Sequence, residues 1–519
     1  MKKLTVCIML IFFSAVTVCL PACAKTSQIR LGNELLMSKY HYLIEGKRVG
    51  LVTNQSGVDS NGISTIDKLA ADKTIKLTAL YGPEHGIDGT APAGQYVESY
   101  THKKLGIPIY SLYGKTRKPT GDMLKNIDVL VFDIQDIGAR SYTYMSTLNY
   151  CMVAAKDNNK TVVVLDRPNP LGGETVEGPV LEDPYKTFVG VDNLPMAHGM
   201  TAGELANFFN RNIGANLKVV PMEGYKRDTI YQDTGLQWVQ TSPNIPDIDS
   251  VFGYMATGLG EGTGIYQADK FKWIGGKGIN AQKFADLLNH AGLPGVTFIP
   301  EIKGEAGGVR LHITDYRTFN PARTGIYALA YAHTLNNFKV PKSGQTIIMF
   351  DKIMGTNKIG QYLEQGLTPV QIESAYAPAL NSFREERKKY LIYGYGQGLP
   401  PAGSGQIVVM VRGSAVNFDS SPYIDKNNRL IVPVRAIVEA LGAEAIWNSK
   451  TREVTIKGNG STVVFKIDSK YVKVNGRTRI MDTTAVIKNS RTMIPVRHVA
   501  EYLGAEVLWN AGNRTVTIN

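Results

Sequence analysis

Disulfides are the first thing this 519-residue chain does without: of its four cysteines, Cys7, Cys19 and Cys23 lie in the first 23 positions and Cys151 stands alone in the rest. Once an N-terminal leader is removed, no intramolecular disulfide and no cysteine-based zinc site are left. Cys151, in an apolar helical stretch, reads as a small core residue. Beyond the N-terminus no apolar run approaches the ~18 residues of a membrane-spanning helix, so no integral span is expected after the leader. Several catalytic signatures are also missing. There is no HExxH-like arrangement, no GxSxG nucleophile elbow, and no phosphate loop, since Gly114-Lys115-Thr116 has Ile109 where the leading glycine belongs. Gly258, Gly260, Gly262 and Gly264 alternate, but far from the first strand–helix turn and without a helical pattern behind them. Metalloprotease, serine-hydrolase and nucleotide-dependent chemistry are thereby disfavoured, and neither a metal nor a cofactor is expected.

What is present is an ordinary globular composition, 43% hydrophobic and 20% charged, which excludes a disordered or multi-spanning chain. Met1, Lys2 and Lys3, the apolar stretch 4–20 and Ala22-x-Ala24 make residues 1–24 a secretory signal peptide, and the protein is expected to be secreted or wall-associated. Leu20-Pro21-Ala22-Cys23 also resembles a lipoprotein box, which makes anchoring at Cys23 the alternative. The formal charge of +12 falls to +10 when Lys2 and Lys3 leave with the leader. That favours anionic partners, acidic wall polymers rather than nucleic acid for an exported chain.

At about 100 to 200 residues per domain the length implies three folded units. Continuous β-branched runs over 48–53, 75–81, 129–134 and 161–166 alternate with helical patterns over 64–71, 142–156 and 202–213, the last capped by Thr201. This is the text of an α/β domain, a mostly parallel sheet covered on both faces, over 28–235. A smaller α+β unit follows over 236–393, with a glycine-dense stretch at 258–278, a strand at 309–313 and a long helix over 368–390. The Gly/Pro/Ser-rich segment 394–405 is a linker. From 406 to 519 the chain is duplicated. Ile431-Val432-Pro433-Val434-Arg435 and Ile446-Trp447-Asn448 recur as Met493-Ile494-Pro495-Val496-Arg497 and Leu508-Trp509-Asn510 at a constant offset of 62. Each copy reads as a proline-started helix, a glycine turn and short strands.

Polar clusters follow the predicted strands of the first domain: Asn54-Gln55, then Gly82-Pro83-Glu84-His85-Gly86, then Asp133-Ile134-Gln135-Asp136, then Asp166-Arg167-Pro168-Asn169. In open parallel sheets the carboxyl ends of the strands form the ligand crevice, so these segments should converge. Glu84, in a glycine-bounded turn, is the candidate general acid, because exclusion of solvent there would favour its protonated form. His85 could orient it. Asp133, Gln135, Asp136, Arg140 and Tyr142 form a dense polar run. Arg140 and Arg167 offer guanidinium forks to a carboxylate, either a ligand's or that of Asp133, Asp136 or Asp166. Glu174 or Glu177 would supply a second carboxylate, which glycoside hydrolysis uses at ~5 Å from the first for retention and ~6.5–9.5 Å for inversion.

GPEHG at 82–86, FDIQDIGARSYTY at 132–144, DRPNPLGG at 166–173, VEGP at 176–179, HGMTAGEL at 198–205 and SPNIP at 242–246 together resemble the exo-β-N-acetylmuramidase (NamZ) family, over about 30–393. Val309-x-Leu311-His312 and Phe350-Asp351-Lys352 extend the match. The resemblance implies a Rossmann-like catalytic domain with a smaller lid domain, and release of N-acetylmuramic acid from the non-reducing ends of peptidoglycan fragments. It makes Glu84 the acid, with His85 beside it and Glu177 as its partner. It implies substrate contacts from Asn54, Asp133, Gln135, Arg140, Tyr142, Arg167, Asn169, Asn244, Glu261 and His312, the arginines serving the lactyl carboxylate. The lid-side loop 261–271 departs from the family pattern in lacking its second acidic residue and its arginine, and Asp88 stands where a basic residue is expected. The duplicated tail resembles the copper amine oxidase N-terminal domain, a stalk-like module. With His498 the only histidine in it, copper binding is not expected, and a spacer or attachment role is. The expected partners are muropeptides and anionic wall polymers. A non-catalytic muropeptide- or wall-binding protein is the alternative to an enzyme.

Overall fold

The structure is a computed structural model that describes residues 29–394 and 407–518, except 412–413, 417, 419, 421, 426–428, 489–490, 506 and 511–514. The expected signal segment 1–24 lies outside the described residues, as does the expected linker apart from Gly394. Seven strands form the first sheet: β1 (Arg48–Thr53), β2 (Lys76–Gly82), β3 (Tyr100–Thr101), β4 (Pro108–Ser111), β5 (Val129–Asp133), β6 (Thr161–Leu165) and β7 (Asn216–Val220). Their order is β3-β4-β2-β1-β5-β6-β7, parallel throughout except for β3. Every residue of β5 is buried, as a strand covered on both faces must be. Cys151 is fully buried in the helix Tyr144–Asp157. The order reverses between β1 and β5, and that switch point opens a crevice at the carboxyl end of the sheet.

The second unit sets a four-stranded antiparallel sheet, in the order β10-β11-β9-β8, against helices. Its strands are β8 (Ile265–Ala268), β9 (Trp273–Lys277), β10 (Val296–Lys303) and β11 (Ala306–Ile313). Its glycines serve packing. A Cβ on Gly275 or Gly308 would come within 2.5 or 2.3 Å of the buried Trp273 ring. The predicted long helix is Pro369–Arg387, continued by a 3-10 turn, Lys388–Tyr390. The chain then returns to the first unit. Ile392 N donates to Glu204 Oε1 (2.9 Å), the Tyr393 hydroxyl to Asp166 Oδ2 (2.6 Å), and Arg227 N to Gly394 O (2.8 Å). One apolar cluster accordingly runs through both units, from Val52 to Phe383.

The duplicated module has its own apolar core. Its equivalent strands Leu430–Pro433 and Arg491–Pro495 pair with each other antiparallel, Val432 opposite Ile494. Each runs into a seven-residue helix, Val434–Ala440 or Val496–Tyr502. Two copies joined through the same strand in antiparallel register are related by an approximate two-fold axis.

Candidate functional site

The turn after β2 carries Glu84. Gly86 N closes it on Pro83 O (3.0 Å), with His85 (φ 71°) and Gly86 (φ 79°) both in the left-handed region. A histidine held there stores strain, of order 1 kcal/mol or more. Here its Nδ1 donates to Ala91 O at 2.6 Å. His85 therefore bonds the loop rather than Glu84, and its ring meets Tyr144 edge-on at 6.4 Å. Glu84 is 8% exposed, with Oε1 accepting from Gly94 N (2.9 Å) and Oε2 from Thr143 Oγ1 (2.5 Å).

Tyrosines surround this carboxylate. Burial raises the Tyr113 phenol; the neighbouring Arg117 pulls the other way, and Glu84 adds to the rise. Arg117 is exposed and stacks over the rings of Tyr113 and Phe188, at 4.4 and 5.1 Å from their centroids. Tyr144 donates to Thr241 O (2.5 Å) and meets Tyr142 at 4.8 Å; Tyr142 in turn meets Tyr254 at 5.8 Å. The Tyr254 phenol is pushed up to about 12, chiefly by burial, with the charges of Glu84 and Asp136 adding to it. Asn54 is buried at the same place. Its Oδ1 accepts from Ser56 N (3.0 Å) and Oγ (2.6 Å), while its Nδ2, beside the Tyr144 hydroxyl, has no acceptor among the described residues.

Phe271 of the lid-side loop closes the aromatic row, 5.0 Å from Tyr254. It ends a run of three left-handed residues, Asp269, Lys270 and Phe271, at φ 54°, 57° and 68°. Ion pairs from Asp269 to Arg310 and Lys303, and a bond from Phe271 N to Gln267 Oε1 (3.0 Å), hold that turn. Asp136, whose charge also acts on Tyr254, is buried. Its Oδ2 accepts from Gly138 N (2.9 Å) and faces His198 Nε2 at 3.4 Å, and its Oδ1 is buried without a hydrogen-bond partner among the described residues. His198 Nδ1 accepts from Met200 N (3.2 Å), which leaves the imidazole proton on Nε2, towards Asp136.

The switch point itself is filled. Asp133 accepts from Arg167 Nε (2.6 Å) and Nη2 (3.0 Å), from Thr65 Oγ1 (2.6 Å) and from Asn33 Nδ2 (3.4 Å). Arg140 donates to three carbonyls, Pro179 (2.8 Å), Leu194 (2.9 Å) and Ile353 (2.5 Å), and burial lowers its pKa to about 9. The arginines expected to hold a ligand carboxylate are thus committed inside the protein. The reason is physical: a buried guanidinium has to satisfy its donors locally. Gln135 binds Asp136 O and Pro168 O (both 2.8 Å), Asn169 binds Met200 O (3.1 Å) and Leu171 N (3.0 Å), and Tyr142 donates to Thr241 Oγ1 (2.9 Å). These brace the strand-end loops; of this group the Tyr142 ring joins the aromatic row.

Glu177 lies elsewhere. Its carboxylate accepts from Gly178 N (2.9 Å) and faces Asn320 (3.5 Å) and Arg384 (3.7 Å) of the second unit, and none of these partners is shared with Glu84. Asn244 is exposed two residues beyond the Thr241-Ser242 segment that binds Tyr142 and Tyr144. Glu261 and His312 are exposed, His312 on β11 opposite Thr297. Sequence reasoning missed Tyr113, Arg117, Thr143, Tyr144 and Tyr254 as site residues. Arg117 was findable only by recognising β4, a four-residue strand, as the strand it follows.

The family model described as "Exo-beta-N-acetylmuramidase NamZ, N-terminal" matches residues 49–249, its C-terminal counterpart matches 252–393, and "Copper amine oxidase N-terminal domain" matches 410–518. The "Peptidoglycan beta-N-acetylmuramidase NamZ" of Bacillus subtilis (strain 168) is 44% identical over 387 residues, 71% of this chain and 92% of the relative. The crystal structure of a DUF1343 family protein from Bacteroides fragilis matches at a TM-score of 0.64 and 39% identity, covering 70% of this chain and 99% of that one. A second DUF1343 protein from that organism matches at a TM-score of 0.54 and 25% identity, covering 71% and 100%.

Proposed function

The chain belongs to the exo-β-N-acetylmuramidase NamZ family, and from that premise we propose that it is a glycoside hydrolase that removes N-acetylmuramic acid from the non-reducing ends of peptidoglycan fragments. The observation that carries the reading is Glu84, a nearly buried carboxylate held by two donors against an aromatic row at the carboxyl end of β2. In this reading Glu84 gives its proton to the glycosidic oxygen as the bond to the anomeric carbon breaks. The rings of Tyr142, Tyr144, Tyr254 and Phe271 bound the sugar site, and Asn54 Nδ2, a buried donor without an acceptor among the described residues, is placed to meet a substrate oxygen. The lactyl carboxylate falls to Arg117, whose guanidinium stacks over the ring of Tyr113, a phenol that Glu84 also influences. Asp136, the buried acid that shares Tyr254 with Glu84, is a better second carboxylate than Glu177, which faces the other unit. The work takes place outside the cell, at the wall, as the leader-like residues 1–24 suggest.

Hydrolysis of 4-nitrophenyl N-acetyl-β-muraminide by the purified protein tests this. The wild type should release nitrophenol, and Glu84→Gln should lower kcat by about 10²–10⁴-fold with KM little changed. A wild type that binds muropeptides without cleaving them would establish the binding-protein alternative. A fully active Glu84→Gln would remove Glu84 as the acid.

A further inference from the structure

The two hydrogen bonds that hold Glu84 differ in kind. Gly94 N, at 2.9 Å from Oε1, is a peptide donor that never accepts, so Oε1 has to remain an acceptor whether or not the side chain is protonated. Thr143 Oγ1, at 2.5 Å from Oε2, is a hydroxyl, which can donate to a carboxylate and accept from a carboxylic acid. The proton that a general acid carries therefore belongs on Oε2. Thr143 Oγ1 makes no other hydrogen bond among the described residues, so nothing there ties it to one sense of donation.

Thr143 reaches Glu84 at the expense of its own helix. It stands at the N-cap of the helix Tyr144–Asp157, where a threonine hydroxyl ordinarily accepts from a backbone N–H of the first turn. Thr120, Thr201 and Thr368 hold that position on other helices, and each accepts from the N–H three residues on. Thr143 makes no such bond. Its backbone is helical, at φ −70° and ψ −7°, where those three are extended, and its half-buried hydroxyl goes to the carboxylate instead. The helix thus forgoes the stabilisation of a cap, and Glu84 gains a partner that can take either role.

We propose that Thr143 is a positioning residue of the hydrolysis: its hydroxyl keeps the transferable proton on Oε2 of Glu84 and turns to donate to that oxygen as the proton leaves. The proposal rests on the reading of Glu84 as the general acid. In the step, the Oε2–H bond breaks and its proton bonds to the glycosidic oxygen, which also takes the electron pair of the breaking bond to the anomeric carbon. The water that completes the hydrolysis gives its hydroxyl to that carbon and its remaining proton, through solvent, back to the acid. As charge gathers on Glu84, Thr143 Oγ1 and Gly94 N both donate to it, the arrangement seen in the structure. Hydrogen bonds to a charged oxygen are the stronger ones, so the contact tightens towards the transition state, which is the differential that catalysis requires.

The other titratable groups that neighbour or act on this carboxylate are Tyr113 and Arg117 after β4, Tyr144, Tyr254, on which Asp136 also acts, and His85 in the turn. Burial raises all three phenols, so none of them ionises near neutrality. A change at Thr143 leaves every one of these groups in place. The test is the pH dependence of hydrolysis by full-length Thr143→Val, which keeps the shape without the hydroxyl, and Thr143→Ser, which keeps the hydroxyl. Two substrates are compared: 4-nitrophenyl N-acetyl-β-muraminide, and the disaccharide of N-acetylmuramic acid β-linked to N-acetylglucosamine. Thr143→Val should lower kcat on the disaccharide about tenfold or more. Its effect on the nitrophenyl substrate should be smaller by at least about threefold, because nitrophenolate leaves with less help from a proton than a sugar alkoxide does. With a donor to the charged form removed, the alkaline limb of kcat/KM should move up by about one pH unit. Thr143→Ser should stay within about threefold of wild type, with the limb in place. Equal losses on both substrates with an unmoved limb, the mark of a merely structural threonine, would overturn the proposal, and so would wild-type rates and limb in Thr143→Val. Glu84→Gln separates the two levels: if it is fully active the acid reading fails, whereas an impaired Glu84→Gln beside an unaffected Thr143→Val removes only the role of Thr143.

Discussion

Glu84 and Arg117 act in opposite senses on one phenol, that of Tyr113, and the roles proposed for them separate cleanly in kinetics. Removing a charge-assisted contact costs about 1.5–3 kcal/mol. Arg117→Ala should therefore raise KM for the muraminide by about 10–100-fold with kcat within about threefold. The matching N-acetylglucosaminide, which has no lactyl carboxylate, should be cleaved by wild type and variant at rates that barely differ. A uniform loss on both substrates would show Arg117 to be structural. Asp166 makes a second residue-scale prediction. It is fully buried, and burial pushes its carboxyl up to about 6 despite hydrogen bonds from Tyr393, Gly203 and Thr201. An unfolded aspartate releases its proton near 3.9. Between about pH 4 and 6 the folded chain keeps a proton that the unfolded chain has lost, so this group's stability is complete below about pH 4 and disappears as pH rises through about 6. The gap is worth about 2–3 kcal/mol. In urea unfolding at several pH values, the stability of the wild type relative to Asp166→Asn should fall by about that amount from pH 4 to pH 7. A pH-independent difference would contradict it.

At the scale of elements, the helix Ala202–Ile213 is tied to distant chain through one residue. Glu204 closes the capping box on Thr201, pairs with the fully buried Arg227 and accepts from Ile392 N. Glu204→Ala would leave Arg227 without that carboxylate and release residues 391–394, at a cost of about 3–5 kcal/mol measured by chemical denaturation. Glu204→Gln, which keeps the shape, should cost less. The lid-side turn predicts the opposite sign. Lys270 is exposed at φ 57° between two other left-handed residues, so Lys270→Gly should raise stability by about 0.5–1 kcal/mol by removing the Cβ clash. A loss of stability would mean that the lysine side chain holds the turn.

At the scale of the whole molecule, one core unites the two catalytic units while the duplicated module has its own. A chain ending at residue 394 should therefore retain the wild-type kcat and KM on the soluble muraminide. A side-by-side assay of the full and the shortened chain checks this, and a loss of rate in the shortened chain would contradict it.

The parallel sheet, its main helices and the repeat with its offset of 62 were legible in the residues, because continuous β-branched runs, Thr201 with Glu204, and Pro433 with Pro495 each act through neighbours in sequence. The sequence by itself thus determined the fold class, the family and the turn that presents Glu84. Only the tertiary structure decided what the polar residues at the strand ends do. Asp133, Arg140 and Arg167 looked like a ligand clamp, yet each found partners far along the chain, from Asn33 to Ile353, since a charge buried under a sheet must be satisfied wherever the fold brings a group to it. Glu177 likewise faces Arg384, a partner 207 positions away that no local pattern announces. The site therefore sits on the β2 and β4 side, where Glu84 and Arg117 both act on Tyr113, because the switch point was already occupied by the Asp133–Arg167 pair.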